Sequence, residues 1–187
     1  MKTKHLFLLA LLLGLTIEDW PNFKKILYSN SQGQMNGYNY ELWKDTGNTR
    51  MGLCRGGTFD CWWEKINNVL FHIGKKWDCT KYSNQLWTVK VQYGAYYKLE
   101  GNSYLCVYGW TKDPLVEYYI VDSWGSWRTP GGSSKSVIFV DGGRYDVYVT
   151  TRYNQPSIIG TKSSNNFWVF DNQRKKKVLL LLFEHFK

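Results

Sequence analysis

Val116-Glu117-Tyr118-Tyr119-Ile120-Val121 places β-branched or aromatic residues at every position except one acid. Such residues favour a pleated, half-buried strand, a setting that disfavours Glu. Successive side chains point to opposite faces of a strand. Val116, Tyr118 and Ile120 therefore share one face, and Glu117, Tyr119 and Val121 share the other. A Glu inside such a run has two readings. It is an edge-strand charge that discourages aggregation, or it serves chemistry. The preceding run, Leu105-Cys106-Val107-Tyr108-Gly109-Trp110, puts Tyr108 and Trp110 on one face. Only Thr111 to Leu115 separate the two runs, with Pro114 for the turn. The spacing predicts a strand pair that brings aromatic hydroxyls to the Glu117 carboxylate.

The same grammar continues outward. Short alternating or aromatic runs occur at Tyr38 to Trp43, Leu86 to Tyr93, Val137 to Val140, Tyr145 to Thr151 and Phe167 to Phe170. Turn signals stand between runs: Asp45-Thr46-Gly47-Asn48, Gly56-Gly57, Gly101-Asn102, Pro130-Gly131-Gly132 and Asp141-Gly142-Gly143. Helical periodicity is nearly absent, and no internal repeat or linker divides the chain. Many short strands at regular spacing predict one all-β domain, a sandwich or jelly roll, and 187 residues suffice for its core.

Aromatic residues make up 18% of the chain, with 10 Trp and 14 Tyr. That is more than a core alone uses. Flat rings suit the apolar faces of sugars and also nucleic-acid bases. The net charge of +9 raises the second possibility. Four of those charges, however, form the run Arg174-Lys175-Lys176-Lys177, and the cations are not interleaved with the strand aromatics. No nucleic-acid partner is expected.

Met1-Lys2-Thr3-Lys4-His5 followed by the apolar stretch Leu6 to Leu15 reads as a secretory signal within residues 1–19. A secreted, extracellular protein with no membrane association after cleavage is expected. Cys54, Cys61, Cys79 and Cys106 allow up to two disulfides or free thiols. Their spacing suits no zinc site, and no metal or cofactor is expected. Neither a GxSxG elbow nor a phosphate loop occurs, and His5, His72 and His185 sit in no triad context.

At four stretches the sequence closely resembles the endo-β-1,4-xylanases of glycoside hydrolase family 11. They are Gly37-Tyr38-Asn39-Tyr40-Glu41-Leu42-Trp43-Lys44-Asp45, Gly56-Gly57-Thr58-Phe59, the run Tyr108 to Val121, and Thr151-Arg152-Tyr153-Asn154-Gln155-Pro156-Ser157-Ile158-Ile159-Gly160. The resemblance implies a two-sheet jelly roll over residues 34–187, curled into a hand with a thumb hairpin. It implies a retaining enzyme acting on internal bonds of xylan, and a monomer. Glu117 falls on the family's nucleophile. Trp43, Tyr108, Tyr119, Arg152, Pro156 and Asn166 fall on substrate-contacting positions, Asn166 where a Gln is usual.

Retaining hydrolysis uses two carboxyl groups about 5–5.5 Å apart, one to attack and one to protonate the leaving oxygen. The family's acid/base Glu lies on a late strand after a single helix. The last residues, Phe183-Glu184-His185-Phe186-Lys187, resemble the entry to that helix. The acid/base is therefore expected to be absent from this chain, which reads as C-terminally truncated or altered. Glu184 is no substitute for it. The alternative expectation is an impaired domain that binds xylan without turnover.

Overall fold

A computed structural model describes residues 24–76, 91, 93–98, 101–128, 130, 132–140 and 142–173, and the backbone of residues 4–8 and 177–178. Contacts divide the chain into two units, Met1–Lys98 with Lys177–Lys187, and Leu99–Lys176.

The first unit holds two sheets. Its strands are β1 (Lys4–Leu8), β2 (Lys25–Leu27), β3 (Ser31–Met35), β4 (Tyr38–Lys44), β5 (Asn48–Leu53), β6 (Phe59–Glu64), β7 (Val69–Gly74), β8 (Ala95–Tyr97) and β14 (Lys177–Val178). One sheet runs β14-β8-β1-β6-β5-β2 and the other β3-β4-β7. Alternation decides what is buried. In β6, Phe59, Cys61 and Trp63 are buried while Asp60, Trp62 and Glu64 are half-exposed. Met51 and Leu53 of β5 pack into the same core, and Trp63 meets Phe71 of β7 at a ring separation of 5.8 Å. β1 falls within the stretch read as an export signal, and it pairs with β6 and β8.

The second unit is one five-stranded sheet. Its strands are β9 (Tyr104–Lys112), β10 (Leu115–Trp124), β11 (Ser136–Val140), β12 (Gly143–Ser157) and β13 (Gly160–Asp171), in the order β11-β12-β13-β10-β9. The predicted pairing of the Tyr108 and Glu117 runs holds. β9 and β10 are antiparallel, with Tyr108 opposite Tyr119 and Trp110 opposite Glu117. β10 also pairs in parallel with β13, Glu117 beside Asn166 and Tyr119 beside Trp168. Glu117 thus stands in an interior strand, which removes the edge-charge reading. Gly109 lies opposite Tyr118, where an added β-carbon would overlap the phenol ring.

Strands extend beyond the apolar runs that announced them. β12 continues through polar Thr151 to Gln155, because backbone pairing with β13 satisfies its amides. A bulge between Arg152 and Gln155 interrupts that ladder, with Asn154 in the left-handed region at φ 49°. Asn tolerates that region better than most residues. The polar strand β3 carried no alternation signal, and it forms as the hairpin partner of β4 through Asn36-Gly37. The Leu86 to Tyr93 run lies mostly, and Cys79 wholly, outside the described residues.

Val121, Tyr148 and Phe170 form the core of this sheet, with Trp124, Trp168, Tyr104 and Tyr119 packed on it. Arg128 lies over that core. Its guanidinium donates to the Tyr148 hydroxyl at 2.9 Å and to the Asp146 carboxylate at 2.8 Å, and lies 4.9 Å from the Phe170 ring centroid. Cys54, Cys61 and Cys106 are free thiols. Burial, reinforced by the charge of Asp122, pushes the Cys106 thiol up to about 12, so it stays protonated and inert at neutral pH.

Arg128→Ala removes the main partner of the largely buried Asp146 carboxylate and the cation above the rings. It is expected to lower the unfolding free energy by about 2 kcal/mol. Arg128→Lys should recover only part of this, because an ammonium lacks the planar fork. Urea melts of the three proteins check the order.

Candidate active site

Glu117 is 2% exposed. Stranding a carboxylate this deep costs several kcal/mol unless donors replace its water. Four side chains supply them. Tyr119 Oη donates to Oε1 at 2.7 Å and Tyr108 Oη donates to the same oxygen at 3.1 Å. Asn166 Nδ2 donates to Oε2 at 2.6 Å and Arg152 donates to it at 2.8 Å. Each oxygen therefore accepts two bonds.

The sheet explains how four distant residues converge. Tyr119 lies two residues along β10 from Glu117, on the same face. Asn166 arrives from β13 by direct register, and Tyr108 from β9 diagonally, since it stands opposite Tyr119. Arg152 comes from β12, one strand further out. It sits opposite Ser164, immediately before the bulge, and is long enough to reach across β13. Its side chain keeps 35% of its exposure, so the guanidinium is the solvent-side cover of the carboxylate.

A second layer holds the first. Trp110 Nε1 donates to Tyr108 Oη at 2.6 Å, which leaves that hydroxyl's own proton for Glu117. The Tyr119 and Trp168 rings stack at 3.9 Å, only 5° from parallel. Trp168 Nε1 in turn donates to Thr150 Oγ1 at 3.2 Å. Burial above all, then the bond to and charge of Glu117, raise the Tyr119 phenol well above its ordinary range. It stays a neutral donor at any working pH. Asn166 Oδ1 is buried and has no hydrogen-bond partner among the described residues.

Of the residues named from sequence, Glu117, Tyr108, Tyr119, Arg152 and Asn166 come together. Pro156 sits exposed near the tip of the β12–β13 hairpin, opposite Thr161. Trp43 belongs to the other unit, on β4, where it is 42% exposed. The expected aromatic hydroxyls do stand at the Glu117 carboxylate, and an amide and a guanidinium complete its bonding. Trp110, Trp168 and Thr150 were given no role from sequence. Alternation signalled Trp110, which shares a face with Tyr108. Nothing local signals Trp168 and Thr150, whose positions depend on the register of β13.

Comparison with known proteins shows the family. The model of the glycosyl hydrolases family 11 matches residues 35–187. A bifunctional xylanase/deacetylase of Pseudobutyrivibrio xylanivorans is 56% identical over 161 residues, 86% of this chain and 27% of that protein. Endo-1,4-beta-xylanase A of Bacillus pumilus is 45% identical over 186 residues, 100% of this chain and 81% of that protein. The chain spans between 25% and 32% of the length of three such relatives. The solved family 11 xylanase from Neocallimastix patriciarum superposes with a TM-score of 0.65 at 24% identity, covering 82% of this chain and 78% of its own. The expected all-β jelly-roll class is borne out by that likeness.

A phenol held neutral in the fold and free to ionise near pH 10 when unfolded stabilises the protein below pH 10. Above that pH the unfolded chain binds fewer protons than the native one, so stability falls as pH rises. Tyr119→Phe is expected to make the decline between pH 9 and pH 11 shallower by about 1 kcal/mol. Denaturant melts at the two pH values measure it.

Proposed function

The chain belongs to the glycosyl hydrolases of family 11, and on that footing we propose that it hydrolyses internal β-1,4-xylosidic bonds of xylan with retention, Glu117 serving as nucleophile. The observation that carries the reading is the four-donor cradle around one interior-strand carboxylate. A retaining nucleophile must be ionised, fixed in place and shielded from bulk water before it meets the sugar.

In the first step a Glu117 oxygen forms a bond to the anomeric carbon while the glycosidic C–O bond breaks. The leaving oxygen takes its proton from a second carboxyl group. Among the described residues, the four side chains bonded to Glu117 are two phenols, a guanidinium and an amide. None of these four can serve as the acid/base, and no described residue is assigned that role; the cradle serves the nucleophile alone. In the second step water, deprotonated by that same second group, attacks the anomeric carbon and releases Glu117 as a carboxylate.

Both Glu117 oxygens are occupied, so attack requires one partner to let go. Arg152 is the half-exposed one. On substrate entry its guanidinium exchanges Oε2 for a sugar hydroxyl and stays close to the reacting centre. Asn166 Oδ1, unbonded and adjacent, offers an acceptor to another hydroxyl. Tyr108 and Tyr119 remain on Oε1 and set the direction of the attacking lone pair. The basic and then apolar start of the chain supports an extracellular setting for this work.

An activated aryl β-xylobioside tests the nucleophile without needing the acid, because its leaving group departs unprotonated. A 2-deoxy-2-fluoro version should leave a stable adduct on Glu117, seen as a peptide mass shift. Glu117→Gln should show no adduct and lose turnover by a factor on the order of 10⁴ or more. Xylan binding with neither release nor adduct would favour the non-catalytic reading instead.

A further inference from the structure

We propose that Trp168 and Thr150 act together as positioning residues for the nucleophile, by fixing the plane of Tyr119 and so the direction of its hydroxyl toward Glu117. The inference rests on the reading of Glu117 as nucleophile, and it adds two residues that touch neither the carboxylate nor, by their place in the sheet, need to touch a sugar.

The chain of contacts is short. Tyr119 makes the shorter of the two phenol bonds to Oε1, at 2.7 Å against 3.1 Å for Tyr108. A tyrosine hydroxyl moves with its ring, through two side-chain torsions. The Tyr108 ring restrains Tyr119 only loosely, tilted by 46° at 4.9 Å. The Trp168 indole lies flat against it, 3.9 Å away and 5° from parallel. A flat stack resists rotation of the ring but leaves sliding within the plane cheap. The indole itself must then be pinned, and its Nε1 bond to Thr150 Oγ1 does this from β12. Register supports the same arrangement: Tyr119 neighbours Trp168, and Trp168 neighbours Tyr148 with Thr150 two residues along the same face. Three strands thus cooperate in aiming one proton.

The neutral state of the phenol fits this role. Tyr119 is held protonated, so it acts at Oε1 as a hydrogen-bond donor. A displacement of about 1 Å in a reacting group can cost about 100-fold in rate. Loss of the Thr150 bond alone should cost less, about five-fold, in line with a single neutral hydrogen bond.

Two measurements on the full chain test this. In the first, the Tyr119 hydroxyl proton is followed by proton NMR, assigned by its disappearance in Tyr119→Phe. Thr150→Val keeps the branched shape and strand preference but removes the acceptor, and Trp168→Phe keeps a ring but loses the indole N–H. Both should speed the exchange of that proton with water, and Thr150→Ser should restore it. In the second, inactivation by the fluorinated aryl xylobioside is split into binding and chemical steps. Thr150→Val should lower the maximal inactivation rate about five-fold with little change in the half-saturating concentration. In the Tyr119→Phe background it should have no further effect. Unchanged hydroxyl exchange in both variants overturns the inference, whether or not the protein is labelled. Full additivity of Thr150→Val with Tyr119→Phe overturns it as well. No adduct in the parent protein would instead sink the reading of Glu117, while the exchange measurement would still decide the positioning claim.

Discussion

A carboxylate carried under the surface of a sheet has to find there every hydrogen bond that water gave it. Glu117 finds four, two on each oxygen, and most of the second unit's architecture follows from that demand. A strand with only one neighbour could supply partners from its own face and from one side. β10 has a neighbour on each side, antiparallel β9 and parallel β13, and each delivers a donor, Asn166 in direct register and Tyr108 on the diagonal. The fourth donor must come from further out, and only a side chain as long as arginine spans the gap from β12. Those donors offset the desolvation of the charge, and they also fix the direction in which it can act.

Much of this was legible in the sequence, for a physical reason. Alternation of Glu117 and Tyr119, and of Tyr108 and Trp110, is a property of any strand, and the short turn at Pro114 dictated that the two strands pair. The interior position of Glu117 was not legible, since an edge-strand charge read equally well until β13 was seen to pair on the other side of β10. Local reasoning gave no access to Arg152 and Asn166, which lie 35 and 49 residues away from Glu117 in the chain. Only a resemblance to whole motifs nominated them. The depth of Glu117 was also hidden, because burial depends on what closes over a residue. The polar stretches of β3 and of the β12–β13 hairpin carry no strand signal in their composition. They are strands because a partner satisfies their backbone, a relationship that residue type does not encode.

The high aromatic content divides into two uses. Trp124, Tyr148 and Phe170 pack edge to face around one another beneath the Arg128 guanidinium, as a core with a cationic lid. Tyr108, Tyr119 and Trp168 are continuous with that core and end on the carboxylate. Trp168 belongs to both, since it stacks on Tyr119 at one side and Phe170 at the other. Rings that a composition count would assign to sugar binding are therefore partly a rigid footing.

The parallel register of β10 with β13 bears on how this lineage can vary. Asn166 and Trp168 face Glu117 and Tyr119 only because the intervening residue, Phe167, points the other way. Gain or loss of a single codon anywhere between the hairpin tip and Phe170 would present the wrong set of side chains to the carboxylate unless a bulge absorbed it. The irregularity between Arg152 and Gln155 already takes up one such step on the opposing strand. Length variation should therefore concentrate at the hairpin tip, around Ile158 and Ile159, while the strand below it changes by replacement alone.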